Sequence, residues 1–153
     1  MARVKIRYLR ESKSLYGADG ISPATGYSCG IDLRACFSEG KICIEAGERY
    51  PIPTGIALEI CEPNIAGFVY SRSGLGAKIG LTVAQGVGVI DPDYRGEIIA
   101  FMLNTSKQAI CVEKGERIAQ LVFQPYLPVS FEESEELSPT ERGSGGYGHT
   151  GKK

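Results

Sequence analysis

Tryptophan is absent from the 153 residues, methionine occurs twice and histidine once. A single histidine, His149, cannot build a His-based zinc cluster or a histidine relay. The five cysteines (Cys29, Cys36, Cys43, Cys61, Cys111) are odd in number and include no C-x-x-C pair. That argues against a disulfide framework and against a cysteine zinc site. Their apolar flanks, as in Ile42-Cys-Ile44 and Ile110-Cys-Val112, predict small buried residues in a reducing cytoplasm. Neither charge dominates, since 17 Lys+Arg oppose 18 Asp+Glu. A binder of nucleic-acid polymers carries a basic excess, so no such partner is expected. No apolar run approaches the ~18 residues that span a membrane, and Met1–Tyr8 holds no apolar signal core. No membrane partner is expected, and the expected location is cytoplasmic.

What remains is a chain of single-domain length with 42% apolar residues, enough for a real core. Glycine (20) and proline (8) punctuate short runs rich in Val, Ile and Tyr. Val4–Leu9, Gly30–Ala35, Lys41–Ile44, Ile56–Ile60, Gly67–Tyr70, Leu81–Ala84, Glu97–Asn104, Ala109–Val112 and Arg117–Gln124 read as strands. The one helical signal is a turn or two around Ser73–Lys78. The class is all-β: a sandwich, jelly roll or small barrel. Residues 1–131 read as the core. Residues 132–153 begin with the solvated acidic run Glu132–Glu136 and end in a glycine-rich tail that buries too little to order itself. Gly146–Lys152 nearly spells a phosphate-binding loop, but Lys153 stands where Ser or Thr must hold magnesium, with no strand before it and no room for a helix after.

Five clusters carry polar groups where a packed β protein would not need them. Asp32 interrupts the apolar strand Gly30-Ile-Asp-Leu33, and such a carboxylate needs a cation or a metal beside it. Arg72-Ser73-Gly74 ends a strand and opens a turn, which offers guanidinium, hydroxyl and amide groups to a phosphate. The alternative is a plain N-cap by Ser71 or Ser73. The stretch Gln85-Gly86-Val-Gly-Val89-Ile90-Asp91-Pro-Asp-Tyr94 reads as a hairpin. Its glycines admit close approach of a ligand, Asp91 closes its apolar pair, and the Tyr94 ring can stack on a sugar. Gln120 places an amide among Ile118, Leu121 and Val122. Arg142-Gly-Ser-Gly-Gly-Tyr147-Gly148-His149-Thr150-Gly151 combines one cation, one ring and freed backbone N–H groups, the parts of a flap that orders on an anion.

In order and spacing these clusters resemble the five motifs of the homotrimeric deoxyuridine triphosphatase (dUTPase) family. They are Gly30–Ala35, Arg72–Gly76, Gly88–Gly96, Gly115–Leu121 and Arg142–Gly151, a likeness running from Val4 to Gly151. The resemblance implies a distorted β jelly roll in a homotrimer with active sites shared between subunits. It implies hydrolysis of dUTP to dUMP and pyrophosphate with Mg2+, which keeps uracil out of DNA and supplies dUMP for thymidylate. By this likeness Asp91 is the general base that activates water at the α-phosphorus. Arg72, Ser73, Gly74 and Gln120 bind phosphates, and Asp32 holds magnesium through water. The segment Gln85, Gly86, Val89 and Ile90 reads uracil through its backbone, and Tyr94 packs under the deoxyribose. Arg142, Tyr147, Gly148, His149 and Thr150 form the flap.

Some positions depart from the family pattern. Tyr147 replaces phenylalanine and should still stack. His149 replaces serine, and its imidazolium would strengthen nucleotide affinity below about pH 6.5, a hypothesis that a flat affinity from about pH 5.5 to 8 would refute. Ser71 replaces proline, which should loosen that turn. Gln85 stands for asparagine and Cys29 for a smaller residue. A deoxycytidine triphosphate deaminase shares the fold, but there a glutamate is expected where this chain has Phe101. A non-catalytic nucleotide-binding trimer would be expected to lose Asp91 or the flap.

Overall fold

The computed structural model describes residues 2–38 and 40–146. Its strands are β1 (Val4–Tyr8), β2 (Ile31–Arg34), β3 (Lys41–Ile44), β4 (Arg49–Ile60), β5 (Ile65–Ser71), β6 (Leu81–Val83), β7 (Val87–Ile90), β8 (Glu97–Asn104), β9 (Ile110–Glu113) and β10 (Arg117–Pro125). Two four-stranded sheets, β1-β4-β8-β6 and β2-β10-β5-β7, enclose the core, and the antiparallel ribbon β3-β9 flanks them. The fold is all-β and jelly-roll-like, as expected from the sequence. No helix among the described residues is long and apolar enough to cross a membrane.

Alternation explains the layers. In β8, Ile98, Ala100, Met102 and Asn104 point inward, while Ile99 and Phe101 point outward. The inner face of β8 meets Ile52 and Ile56 of β4 and Leu33, Ile118 and Leu121 of the second sheet. The strand β4 is longer than its apolar run suggested, because Pro51 and Pro53 lie within it. β7 is a strand in its own right, paired with β5 from Gly67↔Ile90 to Tyr70↔Val87.

Three expectations need correction. A 3-10 turn at Ser12–Tyr16 joins the short π-helical turn at Gly74–Ile79, so the latter is not the only helical segment. Cys43 and Cys111 are exposed and form a disulfide across β3 and β9. Neighbours along a strand point to opposite faces, so buried Ile44 and Val112 turn the intervening cysteines outward. Among the remaining cysteines Cys36 is buried, Cys61 half-buried and Cys29 exposed. Finally, Ser71 does not loosen its turn: its hydroxyl accepts the Val83 N–H at 2.8 Å and ties β5 to β6.

Candidate active site

The sheet order sets the geometry of the site. β2, β10 and β5 lie side by side, so Asp32 stands directly opposite Gln120, and Ala119 opposite Ser71. Arg72 follows Ser71 and its Nε donates to Asp32 Oδ1 at 2.8 Å. Arg117, at the start of β10, donates to Asp32 Oδ2 at 3.2 Å. The half-buried carboxylate thus has the partner it required, and it has two. Gln120 Nε2 donates to the Ser71 carbonyl at 3.0 Å, and its Oε1 occupies the room that a Cβ on residue 30 would need. Glycine at position 30 leaves room for the Gln120 amide in this place; a larger residue would have to push its end aside. Ser73 opens the π-helical turn but makes no side-chain cap bond. With Ser71 bonded to Val83, neither serine caps the turn through its side chain, although Ser73 holds the N-cap position. The resulting cleft of about 380 Å³ is lined by Asp32, Arg72, Ser73, Gly74, Arg117 and Gln120, with Cys29 and Gly30 at its margin.

Gln85–Tyr94 belongs to the other edge of the same sheet. β7 is three strand-to-strand steps from β2, which at ~4.8 Å per step is roughly 14 Å. Here a cavity of about 300 Å³ is lined by Gln85, Gly88, Val89, Ile90, Asp91 and Tyr94 of the hairpin region and by Glu97, Ile99 and Phe101 of β8. Phe101, where a deaminase would carry its glutamate, is exposed in this cavity. The Asp91–Tyr94 corner closes with Tyr94 N–H on the Asp91 carbonyl at 3.1 Å. Arg95 clasps it from outside through the Pro92 and Tyr94 carbonyls, at 2.6 and 3.1 Å. Asp91 and Val89 are exposed, and the Tyr94 hydroxyl donates to the Glu97 carbonyl at 2.9 Å. Because β7 is an edge strand, its outer N–H and C=O groups are free of ladder bonds among the described residues.

The two clefts share no lining residue. One gathers cations and an anchored acid; the other joins an exposed carboxylate, a ring and an open backbone edge. Arg142 belongs to neither: it is exposed, and its Nε donates to the Gly145 carbonyl at 2.8 Å. Tyr147, Gly148, His149 and Thr150 lie outside the described residues. Two participants were missed at the level of sequence. Arg117 was visible as a cation three residues before Gln120, and Glu97 as an acid heading the apolar run Ile98–Leu103.

Comparison with known proteins gives one consistent result. The dUTPase family profile matches residues 18–151. The deoxyuridine 5'-triphosphate nucleotidohydrolase of Desulfitobacterium hafniense is 42% identical over 149 residues, 97% of this chain and 96% of the relative. A dUTPase mutant of Staphylococcus bacteriophage 80alpha, solved with dUpNHpp, has a TM-score of 0.80 at 24% identity over 97% of this chain and 98% of its own. A dUTPase from phage phi11 of S. aureus, described with a structural Mg(II) ion, has a TM-score of 0.75 at 21% identity over 90% of this chain and 99% of its own.

Proposed function

This chain belongs to the dUTPase family and hydrolyses dUTP to dUMP and pyrophosphate, and we propose that it does so in a homotrimer whose active sites are built across subunits. The observation that carries this reading is the separation of the two clefts on opposite edges of one sheet. A nucleotide needs base, sugar and phosphates held together, and one chain presents these halves apart. A second feature supports association. The outer face of β4 and β8 pairs Pro53 with Ile99 and Pro51 with Phe101, and Ile99 and Phe101 are 45% and 44% exposed. Such an apolar sheet face is what a subunit contact covers.

In this reading the edge of β7 pairs with uracil through backbone groups of Gln85, Gly86, Val89 and Ile90, and Tyr94 packs under the deoxyribose. Gln85 Nε2 would lie 3.2 Å from a Cβ at Gly88, so it already closes one end of that slot. Asp91 orients a water and takes its proton as the new O–P bond forms at the α-phosphorus. The α–β bridging bond breaks, and pyrophosphate leaves. Arg72 spends its Nε on Asp32 and an Nη on the Arg117 carbonyl at 3.3 Å. A guanidinium has five N–H donors, so others remain for phosphate oxygens. Ser73, Gly74 and Gln120 complete the phosphate contacts, and the developing charge is spread over fixed donors.

The residues fit magnesium only in an outer-sphere role. Among the described residues no group of three acidic, His or Cys side chains forms a cage, and Asp32 alone brings a carboxylate to the cleft. Mg2+ favours that arrangement, because it keeps its waters and binds phosphates more readily than all-protein cages. When bound, the ion neutralises phosphate charge. Residues 1–131 form the catalytic core of this reading, and 132–153 are the linker and flap that bring Arg142, Tyr147, Gly148, His149 and Thr150 over the nucleotide. The location we assign is cytoplasmic, where nucleotide pools are made.

Co-expression of Asp91→Asn with Arg72→Ala chains tests the shared site. Each variant alone is expected to be nearly inactive. With equal expression and random assembly, an intact Asp91 meets an intact Arg72 at roughly a quarter of all sites (about a third of those in mixed trimers), and activity should return to that level. No recovery in mixed trimers would place base and phosphate binders within one chain.

A further inference from the structure

Glu97 stands three residues after Tyr94, at the start of β8, and its side chain is only 16% exposed. Its Oε1 accepts the Gly55 N–H at 2.7 Å and also an Nη of Arg10. Its backbone carbonyl holds the Tyr94 hydroxyl. One residue therefore joins β4, the loop after β1 and the ring at the hairpin corner.

Each of these contacts is built at a cost. The β4–β8 ladder loses register between Pro53 and Ala57, and Gly55 sits in that interruption at φ 74°. Ser12 and Cys36 fill the room that a Cβ would need there. The carboxylate receives the Gly55 N–H where a strand carbonyl would otherwise have done so. From the other side, Leu9 N–H and the Ser12 hydroxyl both donate to the Gly55 carbonyl, at 2.7 and 2.6 Å. Between them Arg10 and Glu11 stand consecutively at φ 50° and 56°, a conformation shared among described non-glycine residues only by Asn64. Left-handed backbone is unfavourable for such residues and persists where surrounding contacts over-determine it. Here the over-determined strap carries Arg10 onto Glu97. The hydrogen bond to Glu97 raises the Arg10 pKa further above its ordinary value, so the guanidinium keeps its charge.

We propose that Arg10, Glu97 and the Gly55 bulge form a positioning device that fixes Tyr94 for selection of deoxyribose over ribose. Glu97 acts in this device through Tyr94, with its carboxylate turned to Arg10 and Gly55. It sets the height of the corner, and through the carbonyl–hydroxyl bond it sets the tilt of the ring. This rests on the reading that Tyr94 packs under the sugar.

The test is kcat/KM for dUTP and for UTP in the full chain and in Tyr94→Ala, Glu97→Ala, Glu97→Gln, Arg10→Ala and Arg10→Lys, with melting temperatures alongside. Tyr94→Ala should collapse the dUTP:UTP ratio. Glu97→Ala and Arg10→Ala should lower it roughly tenfold, since small misplacements of a packing group are costly. Arg10→Lys, which keeps the charge, should restore most of it. A lowered melting temperature with a wild-type ratio in Glu97→Ala, Glu97→Gln and Arg10→Ala would overturn the inference and leave a structural brace. If Glu97→Ala fails to fold, Glu97→Gln and Arg10→Ala carry the same decision. A wild-type ratio in Tyr94→Ala would instead bring down the reading of Tyr94 itself.

Discussion

At the β2 edge of the sheet β2-β10-β5-β7 an acid is enclosed by cations, and at the β7 edge an acid stands alone. Asp32 is bonded through both oxygens, to Arg72 and Arg117. The Asp91 carboxylate makes no hydrogen bond among the described residues, and its corner is held only by backbone and by Arg95. In the proposed reading, where the β2 edge holds phosphates and Asp91 is the base, the difference follows from what each half does. Two guanidiniums kept close together repel until an anion arrives, and Asp32 supplies that anion inside the chain. Arriving phosphates then find donors already aimed, with little side-chain ordering left to accomplish. A base has the opposite need, because a carboxylate saturated by guanidiniums would hold a proton weakly and accept none from water.

The sharpest way to break this contrast is to neutralise each acid or cation in turn. Asp91→Asn keeps shape and should lower kcat by roughly 10³-fold, while dUpNHpp affinity stays near wild type. Calorimetric titration beside steady-state kinetics separates the two quantities. Arg72→Ala should act differently: kcat/KM falls roughly 10²-fold, and nucleotide affinity falls with it. It also leaves Asp32 with Arg117 alone, so a lowered melting temperature should accompany the loss. If Asp91→Asn instead weakened dUpNHpp as much as Arg72→Ala does, the distinction between a waiting half and a prepared half would fail.

The prepared half was the more legible in the sequence, for a physical reason. A charged residue inside an apolar strand is costly, so Asp32 announced that it had a partner, and Gln120 announced that it needed a hydrogen bond. What sequence cannot supply is long-range register. Arg72 and Arg117 meet Asp32 from 40 and 85 residues away, and only the order β2-β10-β5 explains the meeting. The same limit concealed Glu97, whose partners lie 42 and 87 residues away. Cys43 and Cys111 differ from expectation on another ground. Apolar flanks suggest burial, whereas the two-residue period of a strand makes them a sign of an outward position. β7 reads as part of a hairpin rather than as a strand because Gly86 and Gly88 interrupt the strand preference of Val87, Val89 and Ile90.

The cross-strand disulfide offers a weaker perturbation that bears on both edges. It joins β3 to β9 across 68 residues of chain, and β9 leads through the 113–116 turn into Arg117 and Gln120. Arg34 of β2 also donates to the Gly115 carbonyl in that turn, at 2.8 Å. Reduction, or Cys43→Ser, is expected to cost about 2 kcal/mol of stability, read from denaturant midpoints. Any change in kinetics should appear as a modest rise in KM, on the phosphate side, and kcat should hold. A fall in kcat with KM unchanged would instead link the ribbon to Asp91.

The smallest effect concerns the buttress behind β2. Tyr16 is buried; its hydroxyl donates to the Thr54 carbonyl at 2.7 Å and accepts the Arg34 N–H at 3.2 Å. Burial, which disfavours the phenolate, pushes its pKa up from 10.0 to about 12. The sign of the consequence is fixed by the unfolded chain. Below pH 10 both states keep the proton, and this residue contributes no pH dependence. Between about pH 10 and pH 12 the unfolded tyrosine ionises while the folded one does not, so stability falls as pH rises, by about 1.4 kcal/mol at pH 11. Tyr16→Phe should remove that slope and lower the plateau by about 1 kcal/mol through the lost hydrogen bonds. Urea unfolding of both proteins at about pH 8, 10 and 11 isolates the residue, because other lysines and tyrosines titrate alike in each and cancel in the difference. Equal slopes would mean that Tyr16 is reached by solvent, and that β2, with Asp32 on it, is braced less firmly than the contrast between the two edges requires.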